Sequence, residues 1–104
     1  MSAAATIKAD EVIACLQAHE AELRAAGIRG LSLFGSVARG DCGPGSDIDL
    51  AAEIDHEAGL DLFDLVALER HLGALLSRKV DLTLEPVEKQ RLQMNINRDR
   101  HRAF

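Results

Sequence analysis

Two aspartates stand one residue apart in the stretch "SDIDLAAEI", where Ile48, Leu50, Ala52 and Ile54 alternate with Asp47, Asp49, Ala51 and Glu53. Alternation of this kind marks a half-buried strand, so the apolar set faces a core and both carboxylates project from the other side. Along a strand, Cα atoms two residues apart are separated by roughly 6 to 7 Å. The two carboxylates can therefore share one ion or hold two neighbouring ions. Hard oxygen donors on a short strand suit Mg²⁺, which takes a few carboxylates and completes its shell with waters and substrate phosphates. Asp81, on the polar face of "KVDLTL", is placed to add a third carboxylate from an adjacent strand. Two cations bridged in this way stabilise both the attacking and the leaving oxygen of an in-line displacement at phosphorus.

Such chemistry needs a phosphate anchor, and Gly35-Ser36 supplies the residue types for one. Glycine lets the backbone approach closely, the N–H groups of the following helical turn point outward, and the Ser36 hydroxyl adds a donor. Arg39, one turn on, is either a further phosphate contact or one half of a surface ion pair. No Gly-Lys-Ser/Thr follows, so this is not a Walker loop. Glu53 and Asp55 read as solvated charges at a strand end. His19, His56, His71 and His101 share no metal-ligand spacing, and Gly43, Pro44 and Gly45 read as turn residues.

These residues must be positioned by the elements around them. Val12, Ile13, Leu16 and Leu23 recur at helical spacing from Ile7 to Ala26, and Gly27 is placed to stop that first helix. "GLSLF", 30 to 34, is a short strand that ends at Gly35-Ser36, and 36 to 40 form a helical turn before the "DCGPGS" loop. After the aspartate strand, Asp61 caps a helix to about Ser77 whose stripe of Leu62, Leu65, Leu68, Leu72, Leu75 and Leu76 is core. A third strand covers 79 to 84. Pro86 opens a last helix through about Arg98, and "RDRHRAF" frays or adds a short extended end. The order is α-β-α-β-α-β-α. The long helix between the second and third strands permits a parallel crossover, while the brief link between the first and second permits an antiparallel pair. The expected fold is α/β (α+β): a small mixed sheet of about three strands with helices packed mainly on one face.

Composition bounds the rest. A chain of 104 residues, 47% hydrophobic and 28% charged, is expected to form one domain, residues 1 to 104, with a single core and a compact site. No apolar run reaches membrane-spanning length, and "MSAAATIKAD" has no secretory pattern, so no membrane association and a cytoplasmic location are expected. Cys15 and Cys42 show no metal spacing, and a disulfide is not expected in a reducing compartment. A net charge of -5 argues against direct nucleic-acid binding, which draws its affinity from Lys and Arg. Residues 1 to 84 hold seven Lys/Arg and fourteen Asp/Glu, and residues 85 to 104 hold five and three, giving -7 and +2. The basic tail reads as a solvated helix or, failing that, a docking segment.

"FGSVARG", "SDIDLAAE" and "KVDLTL", in this order and spacing, resemble the minimal nucleotidyltransferase family, a branch of the DNA-polymerase-beta-like nucleotidyltransferases. The resemblance runs from the first helix to the end of the chain, and its motifs are specific as a set. It implies that Gly35 and Ser36 hold the triphosphate of a nucleotide and that Asp47 and Asp49 bind two Mg²⁺. Asp81, by the same likeness, helps position and deprotonate an acceptor hydroxyl. Family members of this size are commonly encoded beside a HEPN-domain, RNase-type toxin and act as its antitoxin. The resemblance thus implies transfer of AMP from ATP to a tyrosine of that toxin, with which the chain would form a hetero-oligomer. Two other functions compete: inhibition of the partner by binding alone, and nucleotidyl transfer to a small molecule of the aminoglycoside type. Enzymes of the last kind usually carry an extra helical domain for the acceptor.

Overall fold

The computed structural model describes Ile7 to Asp41, Gly43, and Gly45 to Phe104. The expectations placed on the N-terminal six residues, on Cys42 and on Pro44 lie outside the described residues. The helices are α1 (Ala9–Ala18), α2 (Glu20–Ala25), α3 (Gly35–Arg39), α4 (Leu62–Leu76) and α5 (Gln90–Asp99). The strands are β1 (Ile28–Phe34), β2 (Ile48–Ile54), β3 (Val80–Leu84) and β4 (His101–Arg102), and a 3₁₀ turn spans His56–Ala58.

The strands form one sheet in the order β3-β2-β1-β4. β1 runs antiparallel to β2 and to β4, while β2 and β3 are parallel. A mixed sheet was expected from the lengths of the connections, and α4 is the crossover that a parallel pair requires. The alternating apolar residues Ile48, Leu50 and Ala52 of β2 are fully buried. They meet Leu31 and Leu33 of β1, Val12 and Leu16 of α1, Leu23 of α2 and Leu68, Leu72 and Leu76 of α4 in one core. Each leucine so buried contributes roughly 1.5 to 3 kcal/mol relative to exposure. Ile28 belongs to the same core although it lies three residues before Leu31, because the β1–β2 register shifts between Ile28 and Gly30. A bulge changes the parity of the side chains and returns both to one face.

The opposite face of the sheet is covered in part by α5, where Ile96 packs on Phe34 and Ala51 with Val87 and Leu92 at the margin. Most helices thus lie on one side, as expected, and one lies across the polar side. Gly27 ends α2 as expected, with φ +108°, and a Cβ there would press on the Leu60 side chain.

Four expectations need correction. Leu62, expected in the core stripe of α4, is exposed, because it stands in the first turn beyond the sheet's cover, while Leu68, Leu72 and Leu76 are buried. The first helix is broken at His19, whose φ of -107° and ψ of 15° close α1 before α2 begins at Glu20. The last helix starts at Gln90, not at Pro86. Side-chain contacts hold the connection out of the helix: the Val87 N–H donates to Gln93 Oε1 at 2.9 Å, and Gln93 Nε2 donates to Glu85 Oε2 at 2.7 Å. The sheet has four strands rather than three. The fourth is β4, the short extended end allowed for in "RDRHRAF", which follows α5 and forms an edge strand with Ser32 opposite Arg102 and Leu33 opposite His101. The Ala103 N–H donates to Leu31 O at 2.9 Å, the Leu31 N–H donates to Phe104 O at 3.1 Å, and Gln17 Nε2 donates to Ala103 O at 3.0 Å. The Arg24 guanidinium caps the Phe104 ring at 4.9 Å. A two-residue strand carries no periodicity that a sequence can display.

Candidate active site

The parallel ladder between β2 and β3 makes Asp49 and Asp81 Cα partners. Directly paired residues of neighbouring strands project to the same face, so the two carboxylates stand side by side on the face that α5 only partly covers. Asp47 precedes them at the start of the same strand. Lys79 Nζ approaches Asp47 Oδ2 at 3.8 Å, an exposed and weak pair. Asp49 and Asp47 are half-buried and Asp81 is exposed.

Gly35 is brought to this group by the other neighbour of β2. Phe34 is the antiparallel partner of Asp49, which sets the next residue beside the Asp49 carboxylate. Gly35 has φ +80°, in the left-handed region that disfavours side chains. A Cβ built there would run into the carboxylate, with Asp49 Cγ at 3.1 Å and Asp49 Cβ at 3.2 Å. The phosphate-anchor turn and the carboxylates thus form one contiguous surface. The short α3 that starts with Gly35-Ser36 closes at Gly40, and the Asp41 N–H donates to Ser36 O at 3.0 Å.

Electrostatics follow from the crowding. Burial pushes the Asp49 carboxyl above its ordinary value, and the neighbouring negative charges of Asp81 and then Asp47 push in the same direction. The Arg39 guanidinium acts against them. Like charges gathered at a half-buried point are stabilised by a cation. Among the described residues no group of three or more His, Cys, Asp or Glu side chains is gathered tightly enough to hold an ion by itself. Hard carboxylate oxygens such as those of Asp47, Asp49 and Asp81 are of the donor type that Mg²⁺ takes, a few at a time. The carboxylate donor set therefore suits the ions expected from the sequence.

Arg39 is engaged on two sides. Its Nη1 donates to Asp99 Oδ2 at 2.9 Å and its Nε to Asp41 Oδ2 at 3.1 Å. Asp99 also accepts from Arg98 Nε at 3.0 Å, and its side chain is only 5% exposed. Asp99 was not among the residues singled out from the sequence. It lies sixty positions from Arg39, and no local pattern announces such a pair.

A matching family profile now adds to this geometry: that of the nucleotidyltransferase domain, over residues 16–102. The chain belongs to the nucleotidyltransferase domain family. Among relatives of this nucleotidyltransferase, the protein adenylyltransferase MntA of Thermococcus cleftensis is 33% identical over 96 residues, which are 91% of this chain and 95% of that one. A solved structure assigned as a minimal nucleotidyltransferase superposes with a TM-score of 0.75 at 28% identity, covering 93% of this chain and 97% of the other. A complex of a tri-AMPylated Shewanella oneidensis HEPN toxin with an MNT antitoxin shares the fold, with a TM-score of 0.62 at 20% identity over 88% of this chain and 71% of that chain.

The motifs that carry the resemblance lie within the matched residues 16–102 and come together in this geometry. The Gly-Ser turn, the Asp-x-Asp pair and the later strand aspartate, spread over 47 positions of sequence from Gly35 to Asp81, meet through two strand registers. A hollow of about 430 Å³, lined by Glu53, Glu85, Pro86 and Gln93 among others, lies at the far end of β2 and contains none of these carboxylates. The chemistry, not the volume, marks the candidate site.

Proposed function

We propose that this chain is a Mg²⁺-dependent protein adenylyltransferase that acts as an antitoxin, moving AMP from ATP onto a tyrosine hydroxyl of a HEPN-type toxin. The observation that carries the reading is the in-register pair Asp49 and Asp81 with Gly35 set against Asp49. The nucleotide and protein acceptor are supported by the adenylyltransferase relative with which nearly the whole chain aligns. The toxin as acceptor rests on the AMPylated complex that shares the fold.

In this reading Gly35 and Ser36 hold the triphosphate through backbone N–H groups and the serine hydroxyl. Asp47 and Asp49 would hold the Mg²⁺ ions, with Asp81 as a further ligand, and those ions supply charge stabilisation at the reacting phosphate and a more acidic acceptor. Asp81, exposed beside Asp49, accepts the proton of the tyrosine hydroxyl. The tyrosine oxygen forms a bond to the α-phosphorus, the bond from that phosphorus to the bridging oxygen breaks, and pyrophosphate leaves. Arg39, from its place between Asp41 and Asp99, adds positive potential at the phosphates.

The test is intact-mass analysis of the purified HEPN-type partner after incubation with this chain, ATP and Mg²⁺, with Asp47→Ala as control. A gain of one or more AMP units that the control lacks is expected. A stably bound partner that gains no mass would assign the chain to inhibition by binding alone.

A further inference from the structure

The most exposed large apolar side chains are Phe63 at 82% and Leu62 at 71%, both in the first turn of α4, with Val66 at 43% and Leu84 of β3 at 38% close by in the fold. They do not stand singly. Leu62, Leu65, Val66, Leu82 and Leu84 line a hollow of about 250 Å³ between α4 and the β3 edge. A second hollow of about 350 Å³ shares Leu65 and Leu84 and continues past Leu60 to Pro86. A continuous apolar groove of this kind on a small protein marks an interaction surface.

Its surroundings define what fits. Residues 55 to 69, which carry the 3₁₀ turn and the first half of α4, contain five Asp/Glu and no Lys or Arg. That segment alone holds a formal charge equal to the net charge of -5 of the whole chain. The groove also blunts its own strand edge. Glu85 N–H is directed to Ala52 of β2, so by alternation the N–H of Leu82 points outward, and it is taken by Glu69 Oε2 at 2.8 Å. Addition of a further strand along β3 is thereby opposed. The groove suits side chains inserted from a helix or a loop.

We infer that the α4–β3 groove is the docking surface for the acceptor protein, which presents apolar anchors flanked by Lys and Arg. The inference rests on the reading of the chain as a protein adenylyltransferase. Asp81 lies one residue before Leu82 on the same strand and projects to the other face. An acceptor seated in the groove therefore has to pass only over the free β3 edge to bring a hydroxyl to Asp81. The acidic rim of residues 55 to 69 favours an acceptor whose anchors are flanked by Lys and Arg.

The experiment measures binding of a purified HEPN-type protein by calorimetry, and AMP transfer at varied partner concentration. Wild type, Leu62→Ser, Phe63→Ser, Glu57→Lys and Asp47→Ala are compared, with thermal melts as a check on folding. For Leu62→Ser and Phe63→Ser the expected result is a Kd and a KM for the partner raised about tenfold or more, with kcat at saturating partner and the melting temperature kept. Glu57→Lys and added salt weaken binding in the same direction. Asp47→Ala binds as wild type does and transfers nothing. Unchanged partner affinity in Leu62→Ser, which lines the groove, and in Phe63→Ser, exposed beside it in the same helical turn, or no binding by wild type, overturns the docking surface. If wild type binds without transferring AMP, it is the enzymatic reading that fails, and the groove is still judged by its own variants. A wild-type dimer in sedimentation that Phe63→Ser converts to monomer overturns the proposal in favour of a second copy as occupant.

Discussion

Gly35 and Asp49 are in contact across the β1–β2 ladder, and the space a Cβ would need at Gly35 is filled by the Asp49 carboxylate. The pairing of Phe34 with Asp49 fixes this approach. The glycine therefore serves a conformational requirement, φ +80°, and a spatial one at the same point.

Gly35→Ala is expected to fail on both grounds. The left-handed backbone costs about 1 to 3 kcal/mol for a residue with a side chain, and the added methyl displaces Asp49. A thermal melt should show the loss of stability. AMP transfer, assayed on folded protein, should fall far more than the loss of folded fraction explains, because a displaced carboxylate disables the site even where the fold survives.

How much of this was legible beforehand depends on which link is considered. The alternation of Ile48, Leu50, Ala52 and Ile54 with the aspartates set their face correctly, since a period of two is a local property. Asp81 was placed on the polar side of its strand by the same argument. The register that makes Asp81 the partner of Asp49 was not visible, because pairing depends on the packing of α4 against both strands. The break at His19 and the late start of α5 were missed for a similar reason. Glu85, Gln93 and Arg100 reach across the chain to hold the connection before α5, and contacts at that distance leave no trace in propensity. Pro86 satisfies the rule for a helix start and is overruled by them.

Asp49→Asn separates charge from shape. The carboxyl of Asp49 is pushed up by burial and by Asp81 and Asp47, so removal of its charge relieves repulsion. Without metal the variant should be at least as stable as wild type. Its transfer activity should fall by a factor on the order of 10² to 10³ or more, as expected when a group that stabilises developing charge is lost. Addition of Mg²⁺ with a non-hydrolysable ATP analogue should raise the melting temperature of wild type and leave that of the variant nearly unchanged. Equal shifts in both proteins would remove Asp49 from the metal site.

Acid stability should report the Glu85–Arg100 pair. Arg100 Nη1 donates to Glu85 Oε1 at 2.9 Å and to Ser32 Oγ at 2.9 Å, and its Nη2 donates to Glu85 Oε2 at 2.5 Å. The Arg100 hydrogen bonds hold the Glu85 carboxyl below its ordinary value against the opposing effect of burial, and Gln93 adds to them. The unfolded chain binds this proton more tightly than the folded one. The contribution of Glu85 is thus fully present above its unfolded pKa of about 4.3 and is lost as pH falls through the lower folded value. Glu85→Gln should cost about 2 to 3 kcal/mol at neutral pH, the worth of hydrogen bonds to a charged group. In urea melts from pH 7 to pH 3, the gap between wild type and variant should close at the acid end. A gap that stays constant with pH would mean that the pair does not titrate as a unit.

The pairing of Arg39 with Asp99 predicts an effect of α5 on the nucleotide. Asp99 is the last residue of α5, and its nearly buried carboxylate holds Arg39 at the end of the helix that begins with Gly35-Ser36. Both hydrogen-bonding arginines keep the Asp99 carboxyl below its ordinary value, Arg98 more than Arg39. Asp99→Ala removes one of the two carboxylates that hold the guanidinium, leaving Asp41, and loosens α3 without touching any carboxylate of the site. The expected result is a KM for ATP raised roughly tenfold or more, through misplacement of the phosphate anchor, with the KM for the partner protein unchanged. Arg39→Ala should raise the KM for ATP as well, since both the charge and the tether are then gone. The double variant should be no worse than Arg39→Ala alone, because Asp99 acts through Arg39. Additive losses would show instead that the two residues serve the nucleotide independently.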